Sequence, residues 1–243
     1  MFFFIPIIPL SKILIIYILV AIVPAIFLLR YIYKQDTIEK EPPSLLWSLI
    51  LCGVAAALSS IVLEGIGSMV LDSTVSQDSP YYVIILSFIV VAAVEEGTKL
   101  FFLKRRTWKD WNFNYLFDGV VYSAFVSLGF AAFENIKYIF SYGISVALPR
   151  ALLAIPGHLG FSVFMGIFYG RAKLCEKRGR KFGTVFNLFI GYFSAVFLHG
   201  FYDACAMIGT TKANIVFYAF VGIMYIIVYR LIKSASYKDR PLY

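Results

Sequence analysis

Long apolar stretches separated by short polar or basic clusters dominate the chain. A crossing of the bilayer core needs about 20 mostly apolar residues, and seven runs reach that length: Ile13 to Tyr33, Leu45 to Leu71, Tyr81 to Leu103, Phe117 to Phe140, Leu148 to Tyr169, Thr184 to Ile208 and Asn214 to Ile232. The pattern predicts an all-α polytopic membrane helix bundle of about seven transmembrane helices. The connections are short, so residues 1–243 are expected to form one integral membrane domain. The first run lacks the basic flank of a signal peptide and is long enough to span, which predicts a retained helix.

Composition agrees with that class: 60% of residues are hydrophobic and 15% charged, which excludes an ordinary soluble domain. The net charge is +8, and its distribution is more informative than its size. Seventeen Lys and Arg residues fall in alternate connections, around Arg30 to Lys40, Lys104 to Lys109, Arg171 to Lys181 and Arg230 to Arg240, against three (Lys12, Arg150, Lys212) in the opposite set. The positive-inside rule then places the N-terminus outside and the C-terminus in the cytoplasm. The basic excess is read as topology and contact with anionic headgroups, so no nucleic-acid partner is expected. Trp108, Trp111 and Tyr115, interleaved with charge, predict a segment at the headgroup level. Cys52, Cys175 and Cys205 form no CxxC, and no cysteine chemistry is expected.

Ionisable residues inside spans are expensive and call for a partner or a function. The third span carries Glu95, Glu96 and Lys99; the fourth Glu134, Asn135, Lys137 and Tyr138; the fifth His158, just after Pro156 and Gly157; the sixth His199 and Asp203. Both histidines of the chain are in this set. Glu95 and Lys99, Glu134 and Tyr138, and His199 and Asp203 are four apart, hence on one helix face. The stripes Ser123, Ser127, Glu134, Tyr138 and Tyr192, His199, Asp203 extend two of these faces. Four polar stripes are best accommodated by turning them together around a water-accessible cavity. Small residues, among them the Gly166 and Gly170 pair, would permit close approach. Lys99 is expected to neutralise one of Glu95 and Glu96 and leave the other free. Lys137 is read as snorkelling, Glu64 as isolated and interfacial, and Asp118 as an N-terminal cap or dipole partner of the fourth helix.

Two carboxylates and two histidines in a partly desolvated site suit activation of water for attack on a carbonyl. No serine or cysteine stands in an activated motif. HExxH is absent and neither histidine has another at helical spacing, so neither metal nor other cofactor is expected. A proton-coupled transporter or channel is the main alternative, since buried Glu, His and Asp also relay protons; a second is a non-catalytic scaffold or receptor that keeps the polar cluster for helix association.

In order and spacing, EEGTK (Glu95, Glu96, Lys99), FENIKY (Glu134, Tyr138), the isolated His158 and HGFYD (His199, Asp203) resemble the EExxK, FExxxY, His and HxxxD motifs of the PrsW family of bacterial intramembrane proteases. The resemblance covers residues 81–208. The type II CAAX prenyl endopeptidases have a related pattern, EExxxR, FxxxH and HxxxN. Here Lys99 comes one position earlier than that Arg, Tyr138 replaces the His and Asp203 the Asn, which points away from a prenyl-protein substrate. The resemblance implies a multi-pass protein of the bacterial cytoplasmic membrane. Its implied activity is site-1 cleavage of a single-pass, membrane-anchored anti-sigma factor near its extracytoplasmic side, by a glutamate-type mechanism without metal. Glu95 would be the general base with Glu96 as its alternate, and His158 would share the activated water. His199 and Asp203 would stabilise the oxyanion, with His199 as donor and Asp203 setting its tautomer, and Lys99, Glu134 and Tyr138 would support them. Oligomeric state is left open, as is the role of the first and seventh spans.

Overall fold

A computed structural model describes residues 10–243. Its elements are α1 (Leu10–Gln35), α2 (Pro43–Thr74), α3 (Tyr82–Ile85) continued by a π-helical segment Leu86–Ala92 into α4 (Ala93–Thr107), α5 (Asp118–Tyr142), a 3₁₀ turn Ile144–Val146, α6 (Ala147–Pro149) continued by a second π-helical segment Arg150–Ala154 into α7 (Ile155–Lys177), α8 (Lys181–Ile208) and α9 (Thr211–Tyr237). The seven predicted crossings are therefore all helical. Six helical stretches are long and apolar enough to cross a membrane. The seventh, 82–107, concentrates Glu95, Glu96, Lys99, Lys104, Arg105 and Arg106 in its second half. Among the described residues the one strand-like pairing is a single bridge between Tyr115 and Pro241.

Helix ends follow local chemistry more than the edges of the apolar runs. Pro43 opens α2, where a missing N–H costs nothing. Thr210 caps α9 by accepting from the Ala213 N–H at 3.2 Å. Gly143 and Gly209 end α5 and α8 at φ 83° and 66°, a left-handed region in which a β-carbon would be strained. Several helices run past the predicted limits, α2 to Thr74 and α7 to Lys177, because polar turns remain helical once outside the hydrocarbon.

α5 forms the buried axis of the bundle. Its residues from Asp118 to Ala131 are buried without interruption, against α1, α2 and α7. Glycines set those crossings: a β-carbon on Gly119 would lie 2.6 Å from both Gly166 O and Gly170 N, and one on Gly129 would lie 2.4 Å from Ile50 O. The Gly166 and Gly170 pair thus packs within one chain. On the opposite extreme, α8 presents Phe182, Phe186, Phe189, Phe193 and Phe197 outward, an exposed apolar face suited to lipid.

The basic connections gather at one end. Asn114 Nδ2 donates to Glu39, Leu116 N to Arg240 O and Phe117 N to Asp239, so the connections after α1 and α4 meet the C-terminal segment. There Asp118, the acidic residue in the first turn of α5 as a dipole partner should be, makes no capping bond within the helix but accepts from the backbone N–H groups of Asn114 (3.0 Å) and Tyr115 (2.7 Å), clamping the approach to it. Trp111 is exposed, as a headgroup-level residue should be, whereas Trp108 packs on Tyr169.

Candidate active site

Four elements deliver the predicted residues to one place. α4 brings Glu95, Glu96 and Lys99, α5 Glu134, α7 His158 and α8 His199 and Asp203. The two π-helical segments lie immediately before α4 and α7. The wider π turn rotates the helix downstream of it, and such bulges are frequent at functional sites. Tyr192, on the α8 stripe, donates to Ala93 O (2.9 Å) at the first of these junctions. At the second, Pro156 has no N–H to offer Leu152 O. Tyr225 of α9 supplies the missing donor, bonding Leu152 O at 2.9 Å and Leu153 O at 3.0 Å. Pro156 itself sits in the first turn of an unbroken α7, and the irregular backbone lies upstream, at 150–154.

Lys99 is the hub. Its Nζ lies 2.8 Å from Glu96 Oε1, 3.2 Å from Glu95 Oε2 and 3.1 Å from His158 Nδ1, with the Phe130 ring centroid 3.9 Å away. It therefore bonds both glutamates, contrary to the expectation that one would be left free: the ammonium has three donors, and i+3 and i+4 geometry brings both carboxylates within reach. His199 continues the network, with Nδ1 3.0 Å from Glu96 Oε1 and Nε2 3.3 Å from Asp203 Oδ2 and 3.9 Å from Glu95 Oε2. Phe161 stacks on its ring. Ser127, on the α5 stripe, donates to His158 O at 2.9 Å.

The two glutamates differ in access. Glu96 is fully buried, whereas Glu95, 4% exposed, lines an open cavity of about 460 Å³. His158, His199, Asp203, Glu134 and Tyr138 line it too. So do Lys137, Arg150 and Asn214, which lie toward the connections after α5 and α8, the end opposite the basic one.

Contacts across helices change the picture at two carboxylates. Glu134 does not bond Tyr138; its Oε2 takes His158 Nε2 (3.0 Å) and Arg150 Nη2 (2.8 Å), while the Arg150 guanidinium lies 3.7 Å from the centroid of the Tyr138 ring. Glu64 is not isolated: it lines the same cavity as Glu95 and Glu134, because the face of α2 that bears it turns inward. Lys137 is exposed near the outer end of α5, as a snorkelling lysine would be, and it also lines the cavity. Arg150 counts in the sequence only as an outer-side charge, and its place in the site depends on contacts across helices that carry no spacing signal.

Comparison with known proteins gives the family. The family described as PrsW family intramembrane metalloprotease matches residues 41–231. Protease PrsW of Geobacillus kaustophilus is 34% identical over 75% of this chain and 76% of its own length, that of Clostridioides difficile 32% over 85% and 86%, and that of Bacillus subtilis 31% over 81% and 84%. No solved structure matches. With six helices long and apolar enough to cross a membrane and the four motifs converging on one cavity, the chain belongs to the PrsW family and is a bacterial multi-pass intramembrane protease.

Proposed function

We propose that the protein performs site-1 cleavage of a single-pass, membrane-anchored anti-sigma factor near its extracytoplasmic side, using a carboxylate-activated water and no resident metal. The observation that carries the mechanism is the contrast between Glu95, open to the cavity, and Lys99, whose ammonium stands among the possible metal donors.

Glu95 takes a proton from water as the water oxygen attacks the scissile carbonyl carbon. The oxyanion that forms is stabilised by Nε2–H of His199, which turns to it from Asp203 while Glu96 holds Nδ1; one such donor typically contributes about 2.7–4 kcal/mol. The proton on Glu95 passes to the leaving nitrogen as the C–N bond breaks. Glu96, out of reach of the cavity, holds Lys99 and His199 in place. His158 shares the water site only when one of its two ring bonds opens.

The family description implies a metal, and by type and separation the donors would serve: ligand atoms of Glu95, Glu96, His158 and His199 all lie within 4.8 Å of one another. As placed, they do not fit a resident divalent ion. Lys99 Nζ is within 3.2 Å of three of the four and is 2% exposed, so an ion would have to displace a buried ammonium. The substrate position is inferred from the cavity opening away from the basic end, which the positive-inside rule assigns to the cytoplasm.

The test is co-reconstitution of purified protein with a single-pass anti-sigma factor. Wild-type protein should cleave it near its outer boundary in the presence of a chelator, and Glu95→Gln should lose roughly 10²–10⁴-fold while accumulating normally. Undiminished cleavage by a Glu95→Gln/Glu96→Gln protein would sink the carboxylate role. Activity abolished by metal stripping and restored by zinc would overturn the metal-free role, and an intact anti-sigma factor beside another cleaved single-pass protein would overturn the substrate.

A further inference from the structure

We propose that Arg150 is a positioning residue of this protease site: through Glu134 it fixes the tautomer and orientation of His158, and through Asn135 it ties that histidine to α1. The inference rests on the protease reading and extends it to a residue outside the four motifs.

Donor and acceptor chemistry determines the state of the ring. Lys99 Nζ is a donor only, so His158 Nδ1, 3.1 Å away, must accept and carries no proton. The imidazole proton is then on Nε2, which donates to Glu134 Oε2 at 3.0 Å. Holding Glu134 Oε2 in that position is therefore equivalent to holding the tautomer.

Arg150 does so with a planar fork. Its Nη2 donates to the same Glu134 Oε2 at 2.8 Å, and its Nε donates to Asn135 Oδ1 at 2.9 Å. Neighbouring side chains of α5 are thus gripped by one guanidinium, whose face lies over Tyr138. A lysine would bring the charge without the fork or the stacking plane. Asn135 is fully buried and its Nδ2 donates to Ala21 O of α1 at 2.8 Å. The path from α1 through Asn135, Arg150 and Glu134 to His158 is continuous, which gives the first span a part in the site. The charged and titratable groups about His158 are Glu95, Glu96 and Lys99 on α4, Glu134 on α5 and His199 on α8, its ring centroid 5.2 Å away, with Arg150 beyond Glu134.

The chain has two histidines, so nitrogen NMR of protein labelled at histidine resolves two imidazoles, assigned with a His199→Gln variant. In wild-type protein His158 should show a protonated Nε2 and a bare Nδ1. Arg150→Gln should give a mixture of ring states, move the pH profile of cleavage, and lower kcat roughly 10–100-fold, the usual effect of losing the partner of a histidine in a site, with KM little changed. Arg150→Lys should restore part of both readouts, and it serves as the comparison if Arg150→Gln fails to accumulate. A protonated Nδ1 on wild-type His158, or an Arg150→Gln protein with unaltered ring signals and kcat, overturns the proposal. The spectra need no substrate: expected ring signals in a protein that cleaves nothing would refute the protease reading while leaving the positioning intact.

Discussion

Lys99 Nζ on α4 and His158 Nδ1 on α7 lie 3.1 Å apart, so an ammonium occupies the point on which two glutamates and a histidine converge. The lysine compensates buried carboxylates, and removing one partner of such a group typically costs about 3–5 kcal/mol. Lys99→Ala should lower the thermal midpoint of the purified protein and abolish cleavage. It also vacates the centre of the donor set, so zinc titrated into Lys99→Ala should bind measurably by calorimetry while wild-type protein takes up none at the same concentrations. Equal zinc binding by the two proteins would contradict the part assigned to the ammonium.

Tyr225 links the last span to the site. Its hydroxyl donates to two carbonyls of the π-helical segment that leads into His158, one of them deprived of its helical donor by Pro156. A carbonyl left unpaired where no water replaces the donor, as at the lipid-facing Leu152, costs roughly 1–3 kcal/mol. Tyr225→Phe keeps the ring and should therefore destabilise by that order, and amide exchange at 150–157 should accelerate before the rest of α7 does. Uniform exchange across α7 in both proteins would remove this function from α9.

The span pattern and the four ionisable stripes are legible in the sequence because each depends on spacing within one helix: His199 and Asp203 are four apart and do meet, as do Glu95 and Lys99. Pairings across helices are not. Spacing matches Glu134 to its own-helix neighbour Tyr138, yet it bonds His158 and Arg150, which are 24 and 16 residues away. Glu64 looks isolated along the chain for the same reason. Nor does any spacing in the sequence mark a π-helical segment: the residues at 86–92 are compatible with an α-helix, and the contacts made beside the segment, Tyr192 with Ala93 O and Phe88 with Phe197, run across helices.

Outside the membrane-spanning segments, the connection between α1 and α2 carries two buried carboxyl groups, Asp36 and Glu41, 1% and 4% exposed. Burial pushes Asp36 up to about 6 and Glu41 up to about 7, the latter opposed by the Tyr122 hydroxyl that donates to it at 2.8 Å. A carboxyl whose value is raised by folding binds more protons folded than unfolded between the two values, so its contribution to stability falls as pH rises through that window. Thermal unfolding in detergent should show stability decreasing from about pH 4 to pH 7. In Glu41→Gln the decline should be shallower, and a wild-type profile that rises across this range would contradict the assignment.

The crossing of α5 on α7 offers a control of its own, because two glycines predict opposite outcomes. At Gly119 a β-carbon would meet backbone atoms of Gly166 and Gly170 at 2.6 Å, and backbone cannot swing aside as a side chain can. At Gly65, on the outer face of α2, a β-carbon would meet nothing within 4 Å. Gly119→Ala should therefore overpack the crossing and cost about 1–3 kcal/mol. Gly65→Ala should be neutral or slightly stabilising, since alanine is the better helix former. Because α5 carries Glu134 and α7 carries His158, separating the two helices also lengthens the 3.0 Å contact between them. Gly119→Ala should lose cleavage activity beyond what its stability explains, measured well below its unfolding midpoint, whereas Gly65→Ala should match wild-type protein.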